Sequence, residues 1–350
     1  MIKSLEIINY KGFENFEMNK LNKINIFVGN NNSGKTSLLE AIYIGMKNNF
    51  MGSMNIIQNR NLNNNSKAME TLFRNLDVNN KISITLKNDE DYFLTELSSI
   101  LDNNIFIPMN FQNEAGIQSQ EEKSFIINKD GKKVIYNFSM KNKANGMLEQ
   151  VVNIKAEDSN NISNNSKDII NSNTYFISPK TRMSGNFANE LKEQIKSKIQ
   201  KKNILEELQL FDSKVEDIIV DGTNIEIYLK GVDKPFPIEA LGAGIFTILE
   251  IASVLGKKID NIFIDEIEDG LHIQSMEIVA KYLAKAIEKN PSLQLFITTH
   301  SAEIIKLISK YQIEKDIVSA FRIYSKNEKI ELVEYREDLL ETLEEGWEIR

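Results

Sequence analysis

The chain has 350 residues, a formal net charge of −8, two histidines and no cysteine. That length accommodates one large domain or two ordinary ones. The acidic balance argues against a generally basic nucleic-acid binder, the missing Cys excludes disulfide and thiolate chemistry, and no secretory or membrane-spanning apolar run is present, so the chain reads as soluble and cytoplasmic.

In chain order, residues 5–10 and 11–18 alternate apolar and polar around Gly12 and predict a hairpin. A strand at 24–28 then runs into Gly29-Asn30-Asn31-Asn32-Ser33-Gly34-Lys35-Thr36, followed by the apolar stretch Ser37-Leu38-Leu39-Glu40-Ala41-Ile42. This is G-x-x-x-x-G-K-[ST] in the setting it needs, strand, turn and helix. Glycines let the turn close tightly, so that backbone N–H groups and the helix N-terminus converge on phosphate oxygens. Lys35 is placed to reach the outer phosphates of a nucleotide, and the Thr36 hydroxyl to ligate Mg²⁺.

Residues 48–66 are rich in Asn and Met with little periodicity and read as a loop with short helical pieces. Strands are expected at 81–86, 105–107, 124–127 and 134–138, with a turn at 129–132 joining the last two, which together suggest an antiparallel sheet. Residues 157–173 are poor in apolar side chains and read as a loop or linker. A strand resumes at 174 and ends at Pro179. Residues 188–210 have helical spacing with a charged face. Its lysines read as a solvated surface or as a contact for DNA phosphates, and no heptad array long enough for a coiled-coil arm is present.

The second half carries paired acids. Residues 262–264 are apolar and lead into Asp265-Glu266. A carboxylate at the end of a buried strand is placed to hold Mg²⁺ opposite a phosphate loop, the role assigned to Asp265. Glu266, pointing elsewhere by strand alternation, is assigned to orient and deprotonate an attacking water. A second apolar strand at 295–299 ends in His300-Ser301.

Asn9-Tyr10-Lys11-Gly12-Phe13, a strand, and then the phosphate loop continuing through Ile42 resemble the start of the ABC-type ATPases of the RecF, SMC and overcoming-lysogenization-defect (OLD) group. The order continuing through Ile177-Ser178-Pro179, Pro235-Phe236-Pro237-Ile238, residues 264–272 and Thr298-Thr299-His300-Ser301 most resembles the AAA15, OLD-like ATPases. That resemblance implies an α/β ABC-type P-loop head with a mixed central sheet, an antiparallel β-subdomain and a helical subdomain. It divides the single domain 1–350 into an N-terminal half (1–156), a flexible loop (157–173), a helical insert (174–240) and a C-terminal half (241–350). It places Lys11, Gly12 and Phe13 near the adenine, although an ordinary solvated turn with a core Phe fits the same residues. Asn30, Asn31, Asn32, Ser33, Gly34, Lys35, Thr36 and Ser37 are implied to hold ATP, Thr36 and Asp265 the Mg²⁺, and His300 to contact the γ-phosphate as a switch histidine. His272 lies in a region that crosses the dimer interface of the superfamily, and packing or capping of the next helix explains it equally well.

Relatives bind the γ-phosphate of the opposite subunit through a Ser-x-Gly turn; here Ala240-Leu241-Gly242-Ala243-Gly244 keeps the backbone donors of Gly242 and Gly244 but lacks the hydroxyl. This departure implies slow hydrolysis, an ATP-clamped switch or a family variant. The function implied is an ATPase acting as a nucleotide-dependent homodimeric or higher-order switch. In an anti-phage system it would control a separate effector, a nuclease or other toxin. The alternative is a RecF- or SMC-like repair ATPase that binds DNA as an ATP-bound dimer, while a transporter subunit ranks last because no good Ser-Gly-Gly signature is present. No Toprim nuclease domain is expected after Ser301, and no membrane contact.

Overall fold

The computed structural model describes residues 1–47, 50–60, 62, 68–89, 92–100, 123–129, 132–142, 148–156, 173–179, 185–255, 257, 259–311, 317–326 and 329–335. The strand expected at 105–107, most of the 157–173 loop and the acidic tail lie outside them. The chain forms two compact units, one of Met1, Lys20–Leu39 and Ser172–Arg350, the other of Ile2–Asn19 and Glu40–Asn171.

The second of these is built on a seven-stranded antiparallel sheet. Its strands are β1 (Ser4–Tyr10), β2 (Phe13–Met18), β4 (Ile82–Lys87), β5 (Tyr92–Ile100), β6 (Lys123–Lys129), β7 (Lys132–Asn142) and β8 (Leu148–Ala156), in the order 2-1-4-5-6-7-8. The expected hairpin is present, and it joins this sheet through β1, with Leu5 opposite Leu86 and Ile7 opposite Ile84. Alternation drives the pairing: Leu5, Ile7, Ile82, Ile84 and Leu86 are all buried. The Asn-rich stretch differs from expectation, since α2 (Phe50–Asn59) is one continuous helix. Met54, Ile56 and Ile57 are buried, and that tertiary burial outweighs the poor intrinsic helix preference of the Asn residues.

The other unit centres on a six-stranded sheet of β3 (Ile24–Val28), β9 (Thr174–Ile177), β13 (Asn261–Ile264), β14 (Gln294–Thr299), β15 (Val318–Lys326) and β16 (Lys329–Tyr335). The order is 16-15-3-14-13-9; only β15–β16 is antiparallel. Every residue of β3, β13 and β14 is buried, as expected of central parallel strands. Phe176, Phe263 and Phe296 sit in register on β9, β13 and β14 and stack with ring centroids 6.1 and 4.8 Å apart. Such pairs add about 0.5–1.5 kcal/mol each beyond area burial.

Helices α1 (Lys35–Lys47), α3 (Gly185–Ile195), α4 (Lys198–Phe211), α5 (Ala243–Leu255), α6 (Ile273–Lys289) and α7 (Ala302–Tyr311) complete the helical set. Of α1, the residues through Leu39 belong to this unit. A small sheet of β10 (Val215–Asp221), β11 (Asn224–Leu229) and β12 (Phe236–Pro237) follows α4. The single helix expected over 188–210 is two helices, broken where Ser197 caps α4 by accepting the Gln200 amide. Residues 174–240 thus contain a strand of the central sheet and a small β-sheet as well as helices. Among the described residues no helix is long and apolar enough to cross a membrane.

Candidate active site

Register brings the polar motifs together. Val28, the last residue of β3, lies opposite Thr299, the last of β14; Ile264, ending β13, lies opposite Ile297. Three parallel strands therefore deliver Gly29, His300 and Asp265 at their carboxyl ends, the edge at which open α/β sheets bind ligands.

The loop after β3 is held by its backbone. A Cβ on Gly29 would meet the Ile323 carbonyl oxygen at 2.2 Å, so β15 packs where only glycine fits. Asn32 takes a left-handed φ of +62°. The Lys35 ammonium donates to the carbonyls of Gly29 at 2.8 Å and Asn30 at 2.9 Å, which draws the side chain back across the loop. The Ser33 hydroxyl is buried with no hydrogen-bond partner. An orphaned donor in a phosphate-type loop fits an anionic ligand. Burial lowers the Lys35 ammonium below its ordinary value, opposed by the field of Asp265, Glu266 and Glu268.

Asp265 is buried, and its carboxylate accepts from the Thr36 hydroxyl at 3.0 and 3.1 Å and from the Thr298 hydroxyl at 2.6 Å. The Thr298 oxygen in turn accepts the Glu266 amide at 2.8 Å. β13 ends at Ile264, so strand alternation is not what separates the two acids. Glu266 adopts φ +52°, a left-handed turn that costs a non-glycine residue about 1–2 kcal/mol.

Beyond them, Glu268 accepts from the Thr299 hydroxyl at 2.7 Å and from the His300 backbone amide. His300 itself is exposed, and Ser301 accepts the Ile304 amide at the start of α7. His272 is the N-cap residue of α6 but makes no side-chain capping bond.

The Gly242 turn meets the same loop from its other side. Gly242 has φ +92° and is exposed, with open space where a Cβ would be. Gly244 is buried, and a Cβ there would lie 2.7 Å from the Gly270 carbonyl oxygen. A Cβ on Gly270 would lie 2.4 Å from that of Ala243. The buried Thr247 hydroxyl lies within hydrogen-bond distance of the Ala243 and Asp269 carbonyls, 3.1 and 3.3 Å. The glycine requirement at 244 is therefore met by packing, whereas Gly242 is exposed, with its N–H donating to the Glu239 carbonyl at 3.4 Å.

Lys11, Gly12 and Phe13 belong to the antiparallel unit. Phe13 is buried and packs edge-on against Phe16, matching the core alternative. Lys11 takes φ +48° in the β1–β2 turn and pairs with Glu40. Glu40 is itself buried and also takes Arg60 Nε at 2.6 Å, Arg60 Nη2 at 3.1 Å and the Tyr10 hydroxyl at 3.3 Å. Glu40, Thr247, Glu268, Gly270 and Thr298 carry no local signal of their role, because all but one of their partners, the Ala243 carbonyl within the helix of Thr247, lie far away in the chain. The polar endings of both central strands mark where Glu268 and Thr298 stand, not what they hold.

Three comparisons bear on this arrangement. A family model described as AAA ATPase domain, AAA_15, matches residues 1–305. A Helicobacter pylori protein named ATP/GTP phosphatase is 26% identical over 360 residues, covering 93% of this chain and 92% of its own length. The DNA replication and repair protein RecF of Clostridium perfringens is 48% identical over 42 residues, 12% of either chain. Among solved structures, the SMC head bound to the C-winged helix domain of ScpA superposes with a TM-score of 0.54 at 14% identity, covering 96% of this chain and 98% of that one. This last likeness shows the fold, an SMC head-like α/β arrangement with parallel and antiparallel sheets.

Proposed function

Because the chain belongs to the AAA_15 family of ATPase domains and hydrolyses ATP, we propose that it is a nucleotide-gated clamp in which two copies close with the Gly242 turn of each against the nucleotide of the other. The observation that carries this reading is the exposed run of Gly242, Ala243, Gly270, His272, Ile273 and Gln274, backed by the Gly244–Gly270 contact. Ile273, at the start of α6, is 54% exposed. The first turn of α5, which opens at Ala243, suits an anion even without the hydroxyl that Ala240 lacks. In this reading turnover is slow and the closed state long-lived.

Within each copy, the amides of Asn30 to Ser37, the Ser33 hydroxyl and Lys35 hold the phosphates. Glu266 orients the attacking water and takes its proton, and His300 contacts the γ-phosphate. The donor set fits Mg²⁺: a hydroxyl and a carboxylate already share a hydrogen bond, and Asp265, Glu266 and Glu268 all act on Lys35 with a negative field. Magnesium characteristically takes one or two protein oxygens and completes its shell with water and phosphate. Thr36 and Asp265 would hold it, and bound there it would neutralise charge developing on the phosphoryl oxygens.

The partner held by the clamp is proposed to be a separate effector protein of an anti-phage system, the role implied by resemblance to OLD-like ATPases. The local RecF identity favours a second partner, duplex DNA. Light scattering without nucleotide and with ATP–Mg²⁺, on wild type and Glu266→Gln, tests the clamp. Growth to a dimer or larger particle with ATP, persisting in Glu266→Gln, supports it; a mass independent of nucleotide in both overturns it. DNA affinity that rises with ATP and falls steeply with salt selects the second partner.

A further inference from the structure

The carboxylate of Glu268 lies beyond the acid pair, and both its oxygens are committed to the end of the neighbouring strand. Oε2 accepts from the Thr299 hydroxyl at 2.7 Å, Oε1 accepts from the His300 amide, and the Thr299 oxygen accepts the Ser301 amide at 3.0 Å. The loop that carries Glu268 is itself closed by turns, Asp269 N to Glu266 O at 2.9 Å and Leu271 N to Glu268 O at 2.9 Å, and its far end packs on Ala243 and Gly244. A residue with one oxygen on His300 and its backbone in a loop braced against the Gly242 turn is placed to fix where His300 stands.

We propose that Glu268 is the positioning residue for His300, holding the backbone at the end of β14 so that His300 meets the γ-phosphate, and tying that position to the Gly242 turn. The inference rests on the reading of His300 as the γ-phosphate contact. Glu268 has two physical ways to act: through its hydrogen bonds, or through the negative field it adds at Lys35. Geometry favours the first. An amide in place of the carboxylate keeps an acceptor for the His300 N–H and removes the charge, so the two routes separate experimentally.

The test is a double-mutant cycle on the full chain, with Glu268→Ala, Glu268→Gln, His300→Ala and the Glu268→Ala/His300→Ala double variant. It is read as kcat, KM for ATP and thermal midpoint. Glu268→Ala is expected to lower kcat by about 10- to 100-fold, the scale of a misplaced contact, with KM little changed. The double variant is expected to be no slower than His300→Ala alone, and Glu268→Gln to recover most of the rate. Additive losses, or a Glu268→Gln variant as slow as Glu268→Ala, would overturn the proposal. An unchanged kcat in His300→Ala overturns the reading of His300 and the proposal with it; a slow His300→Ala beside a normal Glu268→Ala overturns the proposal alone. Should Glu268→Ala not fold, Glu268→Asp replaces it in the cycle, because the shortened side chain withdraws the acceptor while keeping the charge.

Discussion

Thr298 and Asp265 stand at the ends of neighbouring parallel strands, and the Thr298 hydroxyl donates to the Asp265 carboxylate at 2.6 Å while accepting the Glu266 amide at 2.8 Å. One buried hydroxyl thus fixes the side chain assigned to magnesium and the backbone of the residue assigned to water. Replacing it with an isosteric methyl, Thr298→Val, leaves a buried carboxylate short of a donor and an amide without that acceptor. Such losses cost about 1–3 kcal/mol each. The expected outcome is a lower thermal midpoint and at least a tenfold fall in kcat, with nucleotide still bound. Calorimetry and steady-state kinetics on the same preparation check it, and full activity in Thr298→Val would remove the role.

Lys35 gives a pH dependence with a definite sign. Burial holds its ammonium below the ordinary lysine value of 10.5 before nucleotide arrives. A bound triphosphate favours the charged form and raises that value, so binding takes up a proton once the solution pH exceeds the lowered one. Affinity is expected to be flat at lower pH and to fall as pH rises through the lowered value toward 10.5. Lys35→Arg stays charged across this window and is expected to lose the early fall, even if its affinity is weaker throughout. Fluorescent-nucleotide titrations in alkaline buffers read this directly; parallel pH profiles for the two proteins contradict it.

Glu40 anchors the antiparallel unit. Its carboxylate, 3% exposed, balances Lys11 and Arg60, which are 11% and 30% exposed. Removing one member of a buried ionic cluster strands the rest, typically at about 3–5 kcal/mol. Glu40→Ala is therefore expected to fall in urea stability by that order. Converting Lys11, Glu40 and Arg60 together to apolar residues of similar volume is expected to restore much of the loss. Equal stability of Glu40→Ala and wild type in urea melts defeats the assignment.

The three glycines of the turn and its partner loop separate packing from binding. Gly244→Ala and Gly270→Ala place a methyl 2.7 Å from a carbonyl oxygen and 2.4 Å from the Ala243 Cβ, overpacking that typically costs about 1–3 kcal/mol. At Gly242 the space is open, and the penalty is that of a backbone at φ +92° and ψ 161°, a region essentially reserved for glycine, about 1–3 kcal/mol. Gly270→Ala, which adds a positive φ of +71° to its overlap, is expected to melt earliest of the three. Gly242→Ala is expected to stay folded yet lose ATP-dependent growth in mass. Normal assembly by Gly242→Ala removes that turn from the interface.

The phosphate loop, the acid pair and the histidine after β14 were legible in the chain because each is a contiguous run following an apolar strand, and local chemistry sets what such a run can do. The family and the α/β class followed from the same runs. Boundaries inside polar stretches were not legible. Helix α2 owes its existence to the burial of Met54, Ile56 and Ile57, and the break at Ser197 to a single capping bond; both are set by contacts that periodicity does not carry.

What the sequence alone determined is therefore the inventory of the site: a lysine and hydroxyls on a glycine turn, and carboxylates and a histidine at strand ends. Tertiary structure decided their geometry. Parallel register puts Val28 beside Thr299 and Ile264 beside Ile297, so residues hundreds of positions apart share one edge. That proximity lets Thr298 serve two acids, Glu268 hold His300, and Gly270 fill the space that Gly244 leaves. Hydrogen bonds and steric fit act over a few ångströms in space, and distance along the chain says nothing about them until the strands have paired.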